Sequence, residues 1–362
     1  MTDSLFDDEW LTDDDEPISF ILYNEKQIID AAYDYYRKTG FPYRNLPLHI
    51  CMQELNKLAA MKVNDKLLTS NLGYHIADTY HPHRFHAAAT GKTSPYESFM
   101  DTNPRTCGRD KLRIALELVM ESTQRIGTGY LGPFSLVRGT QACSNFRPAF
   151  ARYLYDTYAK PGDTVLDTST GYGGRLIGFL ASKMGAYIGI DPNVPTHKGN
   201  IKMAQDLNAA ERVFLINKPA EDVNIDDDVF SVDNETYFEG LDEECDFAFT
   251  SPPYFAKERY SYDDTQSWVR YQTPEKWRDN FLYKMLRLQF DALKPNSYNI
   301  VNIAAVNVKN KTVPLDEWTK DIAQDIGFEY IETRQFTMSS RFGANQEDEV
   351  AFEPVLIFKK GE

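Results

Sequence analysis

Thr164-Val165-Leu166-Asp167-Thr168-Ser169-Thr170-Gly171-Tyr172-Gly173-Gly174 is the stretch that decides the fold. Pro161-Gly162-Asp163 before it is a turn, Thr164 to Leu166 is a short β-rich run, and the glycines lead into a helix predicted from Arg175 to Met184. A second strand, Ala186-Tyr187-Ile188-Gly189-Ile190, ends at Asp191, 20 positions after Gly171. Strand, glycine loop, helix, strand and terminal acid form a crossover unit that binds a nucleotide-like ligand. Glycines admit close approach of the backbone, and an acid ending the second strand accepts both hydroxyls of a ribose. Val213-Phe214-Leu215-Ile216 continues the pattern as a third strand, followed by Ala220-Glu221-Asp222.

Phe247-Ala248-Phe249-Thr250 reads as a buried strand that stops at Ser251-Pro252-Pro253-Tyr254, because two consecutive prolines cannot continue a sheet ladder. The turn is rigid. It offers the Ser251 hydroxyl, the Ser251 and Pro252 carbonyls and the flat ring of Tyr254, a set suited to clamping a planar group that bears an NH2. A helix from about Pro274 to Leu293, a buried strand from Tyr298 to Ala304 and a last antiparallel strand, Glu353 to Lys359, follow.

The Ser251-Pro252-Pro253-Tyr254 turn resembles the catalytic motif of S-adenosylmethionine-dependent DNA amino-methyltransferases, the N4-cytosine and N6-adenine enzymes. Asp167-x-x-x-Gly171-x-Gly173 resembles their cofactor loop, although Ser169 stands where an aromatic is usual in that family. The resemblance spans about 143–362, with the motif order, cofactor loop then catalytic turn, of one of the permuted classes. It implies an α/β fold with a doubly wound, Rossmann-like class I methyltransferase sheet, S-adenosyl-L-methionine as cofactor, and DNA as partner, its target base flipped out onto the turn.

Residue by residue, the resemblance implies catalytic roles for Ser251, Pro252, Pro253 and Tyr254. Asp167, Ser169, Gly171 and Gly173 are expected near the methionine end of the cofactor, Asp191 at its ribose and Asp222 at its adenine amino group. Asn145-Phe146-Arg147-Pro148 precedes a helix to Tyr158; Arg147 either forks onto the methionine carboxylate or merely begins a surface helix. Ser in the first position of the turn favours cytosine N4 over adenine N6 by association within the family. The alternatives are an RNA or tRNA base amino-methyltransferase and an inactive methyltransferase-like nucleic-acid-binding protein.

Charge sharpens the choice of partner. The formal net charge of −15 opposes phosphate binding, which rests on Lys and Arg. The acids are unevenly spread. Residues 1–16 hold eight acids and no base, whereas 81–160 holds eleven basic residues against six acids. The expected organisation is an acidic disordered tail over 1–16, a mainly helical domain over 17–140 that selects the substrate, and the methyltransferase domain over 141–362. In the second segment, helices are predicted over 25–39 and 48–60.

Tyr80-His81-Pro82-His83-Arg84-Phe85-His86 gathers three histidines without a carboxylate or cysteine at ligand spacing, so no metal is expected. A polar loop touching a phosphate or base is expected instead, since Arg84, Lys92, Tyr80, Phe85 and Tyr96 lie close by. Cys51, Cys107, Cys143 and Cys245 form no Cys-x-x-Cys pair, which opposes zinc and a disulfide framework. None follows a proline, as the nucleophile of carbon-5 cytosine methyltransferases does. No apolar run of about 18 residues and no basic, apolar leader occur, so a cytoplasmic protein without a membrane span is expected.

Overall fold

The computed structural model describes residues 24–102, 109–127, 137–229, 244–308, 310–337 and 352–362. The predicted acidic tail, 1–16, and Cys107 lie outside them.

The N-terminal region is helical, as predicted: α1 (Glu25–Thr39), α2 (Leu48–Ala60), α3 (Asp65–Thr69), α4 (Tyr74–Tyr80), the two-residue strand β1 (Ala88–Ala89), α5 (Pro95–Met100) and α6 (Lys111–Thr123). The Asn24 side chain accepts the Gln27 N–H while Gln27 returns a bond to the Asn24 backbone, a capping box that fixes the start of α1. Next comes α7 (Pro148–Tyr158), with proline at its first position, where no N–H is missed. Then follow β2 (Thr164–Asp167), α8 (Gly174–Leu180), β3 (Ala186–Ile190), α9 (Val194–Asp206), β4 (Val213–Ile216), β5 (Cys245–Thr250) and β6 (Glu258–Arg259). A helical run, Pro274–Trp277, Arg278–Leu282 and Tyr283–Ala292, widens by one residue per turn in its middle and leads into β7 (Leu293–Asn302). The chain ends with β8 (Val306–Val308), β9 (Lys311–Val313), the helix Leu315–Ile326, β10 (Phe328–Thr337) and β11 (Phe352–Lys360).

Seven of the described strands form one sheet in the order β10-β11-β7-β5-β2-β3-β4. The run β7-β5-β2-β3-β4 is parallel, and β11 and β10 are antiparallel additions at one edge. β2 and β3 are buried at every position, as strands covered on both faces must be. One face packs Leu154, Tyr155, Phe179, Phe247 and Ile300 with α7 and α8. The other packs Trp277, Leu286 and Phe358 with the helices Tyr283–Ala292 and Leu315–Ile326. Burying each such side chain contributes about 1.5–3 kcal/mol.

The N-terminal region divides in its packing. Leu58, Leu67 and Ile76 of α2, α3 and α4 belong to the first face's core. Tyr36, Phe41, Phe85, Phe99 and Leu116 form a separate cluster around α1, α5 and α6. Packing is therefore continuous from the first half of the region into the sheet. β1 also pairs with β6, Ala88 opposite Arg259 and Ala89 opposite Glu258, and the Thr90 N–H donates to the Lys257 carbonyl at 2.9 Å. The helical region is thus stitched to the chain just beyond the Ser-Pro-Pro-Tyr turn.

The histidine segment departs from the polar loop expected of it. His81 is fully buried and Phe85 with it, Arg84 is bonded to Asp78, and the segment is a wedge against α9 and the glycine loop. His81 Nε2 pairs with Asn200 Oδ1 at 3.1 Å and His83 Nε2 with Thr196 Oγ1 at 2.9 Å. Both rings lie against Tyr172. Burial pushes the His81 imidazole down to about 3 and that of His83 to about 4, so both rings are neutral where they pack. Among the described residues no group of three or more His, Cys, Asp or Glu could hold a metal ion, and no helix is long and apolar enough to cross a membrane.

Candidate active site at the carboxyl edge of the sheet

Strand order reverses between β2 and β5: β3 and β4 lie on one side, β7 and β11 on the other. Loops leaving the carboxyl ends of such strands diverge and open a crevice, the usual ligand site of a doubly wound sheet. A cavity of about 400 Å3 lies there. Of the residues singled out in the sequence, Arg147, Ser169, Gly171, Asp191, Ser251, Pro252, Pro253 and Tyr254 line it. Asp167, Gly173 and Asp222 are not among its lining residues.

Gly171 has φ +57°, a backbone region that L side chains rarely adopt, and this aims its N–H at Asp191 Oδ2, 2.9 Å away. The Asn193 N–H donates to Asp191 Oδ1 at 2.9 Å. Burial pushes the Asp191 carboxyl up to about 6 despite these two bonds.

Asp167 supports the loop from below. It is fully buried, and its two oxygens accept from the Arg175 guanidinium, the Tyr187 hydroxyl, the Thr250 hydroxyl and the Ser169 N–H. Arg175 Nε and Asp167 Oδ2 are 2.7 Å apart. Gly173 is likewise a packing position: it caps α8, and a Cβ there would sit 2.5 Å from Asn200 Oδ1. Asp222 turns away to Arg270, Nη1 to Oδ2 2.8 Å, and the adjacent Glu221 lines the cavity in its place while pairing with the same guanidinium.

At the other end, Ser251 Oγ donates to Asn302 Oδ1 at 3.3 Å. The Tyr254 hydroxyl lies 3.3 Å from both the carbonyl and the side-chain oxygen of Asn302, and Asn302 Nδ2 donates to the Pro354 carbonyl at 3.1 Å. The turn is strained just beyond the prolines, where Phe255 adopts φ +51°. Lys257 Nζ lies 5.1 Å from the centre of the Tyr254 ring. Glu258 accepts from the Ser144 N–H at 2.7 Å, the Ser144 hydroxyl at 2.9 Å and the Tyr260 hydroxyl. Glu353 completes this wall, its carboxyl raised by burial.

Sequence reasoning did not single out Asn145, Glu221, Asn302 or Glu353, all of which line the cavity. Asn302 was within reach of the sequence, since it ends the strand beside β5 and so falls at the same sheet edge as Ser251. Asn145 stands in the segment that the sequence read for Arg147 alone, and its buried Nδ2 has no partner among the described residues.

Residues 245–362 match the family model described as DNA methylase, N6_N4_Mtase. The chain carries a DNA amino-methyltransferase domain over that span, and the sheet is that of a class I, Rossmann-like methyltransferase. S-adenosylmethionine as cofactor comes with this assignment. No curated protein matches the sequence. Similar solved structures include TrmN from Thermus thermophilus, at 15% identity and TM-score 0.38 over 59% of this chain and 48% of that one. A methyltransferase from Pyrococcus furiosus has 16% identity and TM-score 0.37 over 59% and 83%. A SAM-dependent methyltransferase from Methanosarcina mazei has 13% identity and TM-score 0.37 over 57% and 97%.

Proposed function

We propose that the protein methylates the exocyclic amino group of a DNA base, cytosine N4 or adenine N6, with the base held at Ser251-Pro252-Pro253-Tyr254 and the cofactor at the glycine loop. The observation that carries this reading is the meeting of the two motifs in one cavity at the switch point of the sheet. The lining fits S-adenosylmethionine. Asp191 offers a carboxylate to two hydroxyls, and Arg147 with the unpartnered Asn145 Nδ2 offers donors to a carboxylate. Arg147, Asn145, Ser169, Gly171, Asp191 and Glu221 would hold the cofactor, with Asp167, Gly173 and Arg175 shaping the loop beneath. When bound, it supplies an electrophilic methyl group on a sulfonium.

The residues of the chain prepare the acceptor. An amino nitrogen conjugated to a base ring is a weak nucleophile. Ser251 gives its own proton to Asn302, which leaves its lone pairs to accept an amino hydrogen. The Pro252 carbonyl serves as a second acceptor, and together they draw the nitrogen lone pair out of conjugation. Tyr254 presents its ring to the flipped base while its hydroxyl is anchored on Asn302. The proline pair keeps these groups from relaxing, so positioning provides much of the acceleration.

The test is incubation with methyl-labelled S-adenosylmethionine and, separately, DNA, RNA and protein, with the modified nucleoside identified by mass spectrometry. N4-methylcytosine or N6-methyladenine in DNA is the expected product. Label confined to RNA or protein contradicts the reading.

A further inference from the structure

We propose that Glu353 is a catalytic residue, its carboxylate taking the proton that the target amino group sheds on methylation. This rests on the functional reading above and adds the base that reading lacks. In the transfer, the N–C bond forms as the C–S bond of the sulfonium breaks, and the C–S electron pair stays on sulfur. The nitrogen then carries one hydrogen too many, and an N–H proton must leave for a neutral product. Ser251 cannot be its destination. A hydroxyl is a very weak base, and that of Ser251 is oriented as a donor to Asn302 Oδ1.

Four carboxylates line the cavity among the described residues: Asp191, Glu221, Glu258 and Glu353. The first two belong to the cofactor end, Asp191 bonded to the N–H groups of Gly171 and Asn193 and Glu221 to Arg270. Glu258 faces the transfer end, but three donors, the Ser144 N–H, the Ser144 hydroxyl and the Tyr260 hydroxyl, already occupy it. Glu353 is what remains. It lies near the start of β11, next to Pro354, whose carbonyl receives Asn302 Nδ2. Asn302 in turn receives the hydroxyls of Ser251 and Tyr254. One hydrogen-bonded chain thus links the strand that carries Glu353 to the hydroxyl that meets the amino group.

The groups facing Glu353 are the cations Lys257 and Arg147 and the Tyr254 hydroxyl, which favour its ionised form, and Glu258, which opposes it. Burial outweighs the favourable groups and raises the carboxyl above its usual range. A raised carboxyl is the stronger base, which suits a proton acceptor.

Full-length Glu353→Gln and Glu353→Asp test this against the wild type. Single-turnover transfer to DNA is followed across pH, beside cofactor titration by calorimetry and target flipping in DNA carrying 2-aminopurine. The expected result is a transfer rate lowered by about 10²-fold or more in Glu353→Gln. The acid-side fall of the wild-type pH profile is lost in this variant, Glu353→Asp partly restores transfer, and cofactor affinity and flipping stay unchanged. Wild-type rates and pH profile in Glu353→Gln overturn the proposal, as does a loss of cofactor binding or flipping that accounts for the slower transfer. Wild-type protein that transfers nothing to DNA overturns the functional reading itself, and this proposal with it.

Discussion

The two ends of the cavity are built on opposite terms. At the cofactor end the loop is fixed from within: Asp167 accepts five hydrogen bonds from four neighbours, and the Asp191 oxygens hold the backbone of Gly171 and Asn193. At the transfer end two hydroxyls share one Asn302 side chain at 3.3 Å, long for O–H···O bonds. Phe255 beside them holds a strained backbone. A site for one invariant small molecule gains from being finished in advance. A site that receives a base pulled from a helix must keep acceptors open for it.

The contrast breaks most visibly at Asp167. Asp167→Ala leaves the buried Arg175 guanidinium without its carboxylate, and the cost of breaking such a pair is about 3–5 kcal/mol. Denaturant unfolding should register a loss of that size. A loss below 1 kcal/mol would mean that the loop is not held by this pair.

Asp191→Ala acts on binding, lowering cofactor affinity by about 1.5–3 kcal/mol, the worth of hydrogen bonds to a charged group. The pH dependence has a definite sign. The folded carboxyl, raised to about 6, lies above its unfolded value of about 3.9. Its contribution to stability is therefore full below about pH 4 and is lost as pH rises through 6. Cofactor affinity moves the other way, gaining over the same window as the carboxylate ionises to accept the ribose hydroxyls. Calorimetry and chemical denaturation of the cofactor-free protein between pH 4 and 8 check both trends; parallel trends would remove Asp191 from the ribose.

Asp222→Ala is the smallest change. Its carboxylate is exposed and paired with Arg270, so stability should fall by less than about 1 kcal/mol and cofactor affinity should hold. A tenfold loss of affinity would return Asp222 to the adenine.

Those three acids also mark how far the sequence could be read. The parallel strands were legible because β2, β3 and β5, covered on both faces, must be apolar runs, and the glycine loop because only glycine suits its backbone. Their ends placed Asp167, Asp191 and Ser251 at one sheet edge. Sequence does not say where a side chain at a strand end points, and there Asp167 turned to Arg175 and Asp222 to Arg270 while Asp191 kept to the cavity. β10, Phe-Glu-Tyr-Ile-Glu-Thr-Arg-Gln-Phe-Thr, escaped notice because an edge strand paired only with β11 does not require a continuous apolar run. The histidine segment reads as polar in sequence, and only its docking against α9 makes it core.

The most direct measurement of the central claim pairs cofactor titration with single-turnover methyl transfer to DNA in Ser251→Ala. If the turn acts on the base and the glycine loop on the cofactor, S-adenosylmethionine affinity stays within a factor of about two while transfer falls by about 10²-fold, the usual cost of losing one aimed hydrogen-bonding group. Wild-type transfer in this variant would make the Ser-Pro-Pro-Tyr turn a structural feature and contradict the account.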